Sequence, residues 1–335
     1  RNTFLNIKFE NMLDTLGEMS RTDLYSYLKE WEQLTPLPFY SIGEPELTKV
    51  VNKGGEEFFV LKVLVSNNSD YDGIIQMNVL QNGWWYQPME DPRARKKVEI
   101  AAHTSKEFVS VWEEQIRDVE INTMVSGNLP YMIRQSIGNV KQERNKIVKD
   151  TIYTLPESSL EMPGEVIVDN EDSTLFVLST PAVVGLLPKW LDKVEDTSFK
   201  YSGISWWRAP LQWTATTNAK YYGKYIRSAY VIKSGDGSQT ATWKIPVPEA
   251  GQYELYYHVF KDDELRWNDR LQGEYHFRVA YDSEMEDAYI NLRKANEGWE
   301  QLGTYYFSAD TVRVVLTDEC KLRSVTADAV KIVKR

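Results

Sequence analysis

The sequence is poor in the residues that build disulfides and zinc sites. Its 335 residues include one cysteine, Cys320, and three histidines, His103, His258 and His276. One cysteine excludes an intramolecular disulfide. No histidine lies within four residues of another, and no cysteine joins them, so their spacing argues against a zinc site.

Several other signatures of catalysis or membrane insertion are also missing. No run of about 18 apolar residues occurs, so no segment is predicted to span a membrane. The sequence contains no HExxH, no GxSxG elbow and no glycine-rich phosphate loop ahead of a helix. A formal net charge of -10 argues against a nucleic-acid partner. We therefore expect no catalytic residues and no cofactor, with calcium as the one metal still to be considered.

Alternation of apolar and polar residues is the main pattern that is present. It recurs in both halves of the chain with turn residues between the segments, which is typical of β-sandwiches. The predicted core faces are Phe59, Leu61, Val63 and Val65; Ile75, Met77 and Val79; Ala241, Trp243 and Ile245; Tyr253, Leu255, Tyr257 and Val259; Tyr275, Phe277 and Val279; and Val312, Val314 and Leu316. The sequence thus predicts a mainly β protein.

The pattern divides the chain into four segments. Residues 1–36 show helical spacing and predict a hairpin of two helices, with a stop at Gly17 and a cap at Ser20 or Thr22. Residues 37–140 have the strand spacing of an immunoglobulin-like sandwich. Residues 141–164 predict a last strand or short helix leading into a linker, and residues 165–335 predict a second sandwich. Two short helices rarely hold together alone, so we expect the hairpin either to pack on the next domain or to be the end of a missing N-terminal domain. The abrupt start of the helical pattern favours the second alternative.

An irregular, aromatic insertion interrupts the second sandwich. Between Ile167 and Tyr222 the alternation weakens, and such long loops are usually functional or disordered. Its candidate ligand-binding residues, chosen because flat aromatic rings stack on sugar faces, are Trp206, Trp207, Arg208, Trp213, Tyr221 and Tyr222. A second interpretation stays open, in which these rings form a small core or pack between domains.

Carboxylates provide two further candidates. Asp328 alternates in step with Val330 and Ile332 in one predicted closing strand, which places its carboxylate on the core-facing side. We therefore expect a buried carboxylate that accepts hydrogen bonds from backbone N–H groups and fastens a turn. Asp262, Asp263, Glu264 and Asp269 cluster in a polar loop. That loop is expected to be solvated rather than to hold a glycosidase pair. Calcium is the alternative, with Asp169, Glu171 or Asp172 as further ligands.

Several motifs in the second half resemble one known family. The pieces VDNED, GKY, ATW, PEAGQYELYYHV, GWEQLGTYYFSA, VVLTD and ADAV occur in order over about residues 165–335. Together they resemble the golvesin C-terminal-like, or xanthan lyase carbohydrate-binding-like, module. The resemblance implies a jelly-roll, galactose-binding-like fold appended to bacterial secreted or surface proteins. The N-terminal half is more faintly similar to the tail of large bacterial metallopeptidases.

Three hypotheses about function follow. The first is a non-catalytic, extracytoplasmic accessory region that binds a polysaccharide through aromatic side chains. The second is a structural spacer or protein-interaction module without a glycan ligand. The third is the tail of a hydrolase whose catalytic domain is absent. The compartment and the ligand class are implied by the resemblance.

Overall fold

The protein is described by a computed structural model that covers residues 9–21, 23, 37–81, 91–137, 140–145, 148–157, 160, 164–179, 200–201, 203, 208–261, 273–282 and 284–335. Within these ranges the chain forms 22 β-strands, one α-helix and one short 3-10 helix. The prediction of a mainly β protein is therefore confirmed. The strands fall into five sheets, which form two groups along the chain.

The first group, here the first sheet unit, contains two sheets. Its strands are β1 (Tyr40–Ile42), β2 (Glu46–Val51), β3 (Glu57–Asn67), β4 (Gly73–Gln81), β5 (Arg95–Ile100), β6 (Thr104–Trp112), β7 (Ile116–Asn122), β8 (Met132–Ser136), β9 (Val140–Arg144) and β10 (Thr151–Pro156). The 3-10 helix, Pro92–Ala94, precedes β5. One sheet has the order β10-β6-β3-β2-β9, with β1 paired to β3, and the other has the order β5-β4-β7-β8. Buried side chains from both sheets share one core.

The second group, here the second sheet unit, contains three sheets. Its strands are β11 (Glu165–Val168), β12 (Phe176–Leu178), β13 (Thr214–Thr217), β14 (Ser228–Lys233), β15 (Thr240–Pro246), β16 (Gly251–Val259), β17 (Glu274–Tyr281), β18 (Glu284–Asn291), β19 (Gly298–Phe307), β20 (Thr311–Thr317), β21 (Ser324–Ala327) and β22 (Val330–Lys334). The sheet orders are β11-β22-β16-β19, β12-β15-β20-β17-β18 and β13-β14-β21. All three sheets contribute to one core.

The alternating segments form the strands that the sequence predicts. Trp243 on β15, Tyr257 on β16 and Phe277 on β17 are all fully buried in the core of the second sheet unit. In the first sheet unit, Val65 on β3 and Val79 on β4 are likewise buried. Because successive side chains of a strand point to opposite faces, each of these segments buries one face.

The N-terminal helix differs from its predicted form. The helix α1 spans Phe9–Ser20 and continues through Gly17, where the sequence predicts a stop. Ser20, one of the two predicted caps of the second helix, is the last residue of α1, and its hydroxyl donates to the Gly17 carbonyl at 3.3 Å. The predicted second helix lies outside the described residues. No helix in the described ranges is both long and apolar enough to cross a membrane.

Part of the predicted linker is strand. The last strand or short helix expected at the start of residues 141–164 is a strand, β9, which pairs in parallel with β2. The next segment, expected in the linker, forms β10 and pairs with β6. β10 is an edge strand whose side chains are mostly exposed. A strand with no buried face lacks the apolar alternation that would identify it, which explains the error.

Main-chain hydrogen bonds join the two sheet units. The Leu129 N–H donates to the Tyr225 carbonyl at 3.0 Å, and the Arg227 N–H donates to the Leu129 carbonyl at 2.6 Å. The buried Asn128 side chain donates to the carbonyls of Tyr40 at 2.8 Å and of Tyr225 at 3.3 Å. These contacts tie the β7–β8 loop to the segment before β14.

Candidate functional site

A groove of about 1400 Å³ lies between the two sheet units. One wall comes from the β1–β2 region of the first sheet unit and includes Phe39 and Ile42. The other includes the outer face of the β11-β22-β16-β19 sheet and carries Lys331. Lys331 lies between the buried residues Val330 and Ile332, so alternation along β22 turns its side chain outward.

Three partly exposed rings, the groove cluster of Tyr222, His258 and Trp299, line this groove. His258 on β16 and Trp299 on β19 are cross-strand partners, with ring centroids 5.1 Å apart in an edge arrangement. The Tyr222 ring lies 5.0 Å from Trp299 and 5.8 Å from His258. The Lys331 ammonium lies 4.8 Å from the centre of the Trp299 ring. The sheet thus presents an aromatic surface to the groove.

Asp328 supports this cluster from beneath. Its side chain is fully buried, and its carboxylate is 2.8 Å from His258 Nδ1. The Tyr222 backbone N–H donates to both carboxylate oxygens, each at 3.2 Å. Burial raises the pKa of Asp328 above its ordinary value, although the bonds from His258 and Tyr222 oppose that rise. Asp328 therefore positions two of the three rings.

The backbone around Asp328 departs from the single closing strand predicted for VTADAVKIV. β21 ends at Ala327 and pairs with β14, whereas β22 begins at Val330 and pairs with β11 and β16. Asp328 and Ala329 join the two sheets. Main-chain carbonyls accept hydrogen bonds here. The Asp328 carbonyl accepts from the buried Trp243 Nε1 at 3.2 Å, and the Ala329 carbonyl accepts from the His258 N–H at 2.9 Å.

The VDNED motif places carboxylates at the groove in the turn after β11. Asp169, Glu171 and Asp172 all line the groove. The Glu171 carboxylate accepts hydrogen bonds from Ser228 and Tyr201 and pairs with Lys200. Asp169 accepts from the Asn170 N–H at 2.7 Å. Burial, and then the charge of Asp328, raise the pKa of Asp169 well above its ordinary value, and the neighbouring carboxylates add to this.

Replacing Asp169 is expected to stabilise the protein at neutral and alkaline pH. Because its folded-state pKa is raised, Asp169 favours the folded state most below its unfolded pKa of about 3.9, and this contribution is lost as pH rises through the folded pKa. Asp169→Asn keeps Oδ1 as an acceptor and removes the charge. We expect its melting temperature to exceed that of the wild type by roughly 2–4 °C at pH 8, the shift that about 1 kcal/mol produces. The difference should shrink as pH falls, which thermal melts across pH 4–8 would measure.

Asp236→Asn is a matched control for this prediction. Asp236 is exposed, and hydrogen bonds from Ser238 lower its pKa, so the same change there should give no gain at pH 8. Equal melting temperatures for Asp169→Asn and the wild type across the pH range would contradict the prediction.

The predicted ligand-binding residues do not all meet at the groove. Trp206 and Trp207 lie outside the described residues. Arg208 is exposed and does not line the groove, and Trp213 packs against the core with its indole N–H buried and without a partner among the described residues. Tyr221 lines the groove beside Tyr222, but it is only 4% exposed and packs edge-on against Phe260. Among the described candidates, Tyr222 joins the groove cluster.

Sequence reasoning missed three residues of this surface, His258, Trp299 and Lys331. Each occupies an outward position on a strand, and the strands that carry them are distant in the sequence. One sequence feature could have pointed to this surface: Trp299 lies within the GWEQLG motif. His258 and His276, which the alternation also places on predicted strands, lie in different sheets.

Neither the other histidines nor the acids form a metal centre in the described part of the chain. His276 contacts Asp287 at 2.8 Å, and His103 contacts Asp70 and Glu157, each at 2.7 Å. No group of three or more His, Cys, Asp or Glu side chains among the described residues is placed to hold a metal ion. The acidic segment from Asp262 to Asp269 lies outside those residues, so the calcium alternative stays an expectation there.

Comparison with solved structures gives only weak matches. Paenibacillus xanthan lyase is 17% identical, with a TM-score of 0.36, and the match covers 90% of this chain and 26% of the lyase. A calcium-binding mutant of Bacteroides uniformis beta-glucuronidase 2 is 10% identical, with a TM-score of 0.24, and covers 87% of this chain and 30% of that protein. The chain thus spans less than a third of either protein, and scores this low carry no conclusion. No curated protein matches the chain.

Comparison with protein families gives a definite result for part of the chain. Residues 206–334 match the Golvesin C-terminal domain. The matched range contains GKY, GWEQLG and ADAV, which supply or support the groove surface, and it leaves out VDNED. The resemblance seen in the sequence is therefore confirmed over this range. Residues 206–334 are thus similar to the Golvesin C-terminal domain, within a mainly β chain.

Proposed function

We propose that the chain is a non-catalytic accessory region whose second sheet unit binds a polysaccharide in the groove. The observation that carries this proposal is the groove cluster, three partly exposed rings beside hydrogen-bonding carboxylates. Ligand sites in proteins combine aromatic surface with a few well-placed polar groups. This groove has that composition.

The groove cluster suits a sugar chain for two reasons. Trp299 and Tyr222 offer large, flat apolar area of the kind on which the C–H faces of sugar rings stack. Glu171 and Asp169 lie on the same groove, and carboxylate oxygens accept hydrogen bonds from hydroxyl groups. The aromatic rings would supply contact area, and the acids would orient the hydroxyls.

The domain organisation and the cellular location are part of the same proposal. The two sheets around one core in residues 37–140 support an immunoglobulin-like sandwich, which β9 and β10 extend to residue 156. The golvesin-like match supports a jelly-roll fold for residues 165–335. We propose that such a pair serves a larger bacterial protein that is secreted or displayed at the cell surface.

A structural spacer is the second candidate. The main-chain bonds between Leu129 and the segment Tyr225–Arg227 favour it, because they hold the two sheet units together without a ligand. The spacer needs no exposed aromatic surface, whereas polysaccharide binding depends on one. Binding measurements therefore distinguish the two.

Trp299→Ala is expected to weaken polysaccharide binding by at least about tenfold. Truncation of a central aromatic anchor typically costs 2 kcal/mol or more, and 1.4 kcal/mol already corresponds to a factor of ten. Affinity gel electrophoresis against a panel of soluble polysaccharides would measure the retardation of the wild type and the variant. Thermal melting of both proteins would show whether the variant remains folded.

Tyr306→Ala is the matched control, since Tyr306 is 63% exposed and does not line the groove. Trp206→Ala and Trp207→Ala test the binding site predicted in the insertion. If retardation is lost only in the Trp206→Ala and Trp207→Ala variants, the binding site lies in the insertion and not in the groove. Absence of retardation of the wild type by every polysaccharide would refute the binding function and favour the spacer.

A further inference from the structure

We infer that the groove selects uncharged polysaccharides and rejects polymers that carry carboxylate or sulfate groups. This inference rests on the polysaccharide-binding function proposed above and adds the class of ligand. It follows from the balance of charged side chains along the groove and from the contacts that already occupy the cations.

Carboxylates outnumber cations along the groove. The first sheet unit contributes three carboxylates, Glu44, Glu46 and Glu107, and the second contributes four, Glu165, Asp169, Glu171 and Asp172. Four cations share this surface, Lys62, Lys224, Arg227 and Lys331. Both walls are acidic, so an extended polymer in the groove passes carboxylates on either side.

Two of the four groove cations, Lys331 and Arg227, are already engaged. Lys331 is paired with Glu165 at 3.0 Å while it covers the Trp299 ring. The Arg227 guanidinium donates to the Ala219 carbonyl at 3.0 Å, and burial lowers its pKa to about 10, so it stays charged at neutral pH. A polymer carboxylate that pairs with Lys331 or Arg227 would have to displace one of these contacts. The other groove cations, Lys62 and Lys224, face seven carboxylates along the same surface.

Further negative charge is also poorly tolerated at the VDNED turn. Burial, and then the charges of Asp328, Asp172 and Glu171, already raise the pKa of Asp169. A uronate or sulfate bound beside Trp299 would add another anion to this group, and like charges in a partly desolvated site repel strongly.

An uncharged chain meets no such penalty. Its hydroxyl groups donate to carboxylates, which accept without losing charge. Its ring faces pack on Tyr222 and Trp299. The acids that exclude an anionic polymer therefore serve as acceptors for a neutral one.

The test uses neutral and anionic polymers that share a backbone. Suitable pairs are hydroxyethylcellulose with carboxymethylcellulose, methyl-esterified pectin with polygalacturonate, and dextran with dextran sulfate. The affinities for the two forms are compared by affinity gel electrophoresis of the full chain at about 0.01 M salt. The screening length is then about 30 Å, so the difference in affinity should be largest. In every pair that is bound, we expect the neutral form to bind at least about tenfold more tightly, a factor equal to about 1.4 kcal/mol. Salt of about 1 M should reduce this preference.

Matched variants distinguish repulsion by the groove carboxylates from repulsion by the overall net charge of -10. The double variant Glu44→Gln, Glu107→Gln removes two groove carboxylates. The control Glu114→Gln, Glu284→Gln removes the same charge from exposed positions outside the groove. The groove variant should lower the ratio of neutral to anionic affinity by roughly threefold, because local repulsion of the anionic polymer is weaker. The control variant should leave this ratio nearly unchanged.

The possible failures are distinguishable. If neither form of any pair is bound, the proposed polysaccharide binding is wrong. If polymers are bound but neutral and anionic forms bind equally, or the anionic form binds better, the binding function stands and the selectivity is wrong. Equal narrowing by the groove and control variants would assign the preference to net charge and overturn the inference.

Discussion

Asp328→Ala is expected to lower the free energy of unfolding of the second sheet unit by about 3 kcal/mol. The change removes the acceptor for His258 Nδ1 and for the Tyr222 N–H, and the carboxylate is fully buried. Removing one partner of a buried, hydrogen-bonded pair typically costs about 3–5 kcal/mol. We take the lower end because burial already raises the pKa of Asp328. Urea unfolding followed by tryptophan fluorescence would measure the loss.

The chain contains its own control for this prediction. His276 and Asp287 form a second histidine–carboxylate pair at the same distance, 2.8 Å, but the Asp287 side chain is 59% exposed. Asp287→Ala should change the free energy of unfolding by about 0–1 kcal/mol, as exposed ion pairs do. Asp328→Asn retains one oxygen acceptor and should cost less than Asp328→Ala. Equal effects of Asp328→Ala and Asp287→Ala would show that burial of the Asp328 carboxylate does not matter.

Gly223→Ala is expected to cost about 2–6 kcal/mol, from about 1–3 kcal/mol each for backbone strain and overpacking. Gly223 has φ 152°, which an L side chain rarely adopts. A Cβ there would lie 1.9 Å from the Ile226 carbonyl oxygen, and backbone cannot move aside without shifting the segment that contacts Leu129. We therefore expect reduced stability in urea and weakened contact between the sheet units.

Gly203→Ala provides the comparison. Among the described residues, a Cβ at Gly203 would meet nothing within 4 Å, so this variant should unfold within about 0.5 kcal/mol of the wild type. Limited proteolysis at the Leu129 and Tyr225 contact would report the local effect of Gly223→Ala. Unchanged stability and protease resistance in that variant would contradict the steric argument.

The sequence predicts the core better than the groove. Trp243 and Tyr257 are found by alternation because each strand buries one face, and that information is local to the strand. β10 has no buried face and is therefore invisible to alternation. The switch between sheets at Asp328 is missed for another reason: Ala327 and Val330 are both buried, so the apolar pattern continues through the break.

The site depends on pairings that one sequence does not contain. His258 meets Trp299 because β16 and β19 are neighbours, although 40 residues separate the two rings in the sequence. Asp328 is predictable as a buried carboxylate from its parity with Val330 and Ile332, yet its partner His258 is not. Tyr222 is predicted as a candidate because it is an aromatic residue of the insertion. Its place beside Trp299 depends on the fold of its segment, in which Gly223 has a positive φ.

The main-chain bonds between Leu129 and the Tyr225–Arg227 segment also affect how fast a ligand can bind. They set the separation of the two groove walls before any ligand arrives, so no hinge has to close and little conformational entropy is lost on association. Binding should therefore follow a single kinetic phase whose rate rises linearly with ligand concentration. A preorganised groove of this kind changes affinity mainly through the lifetime of the complex.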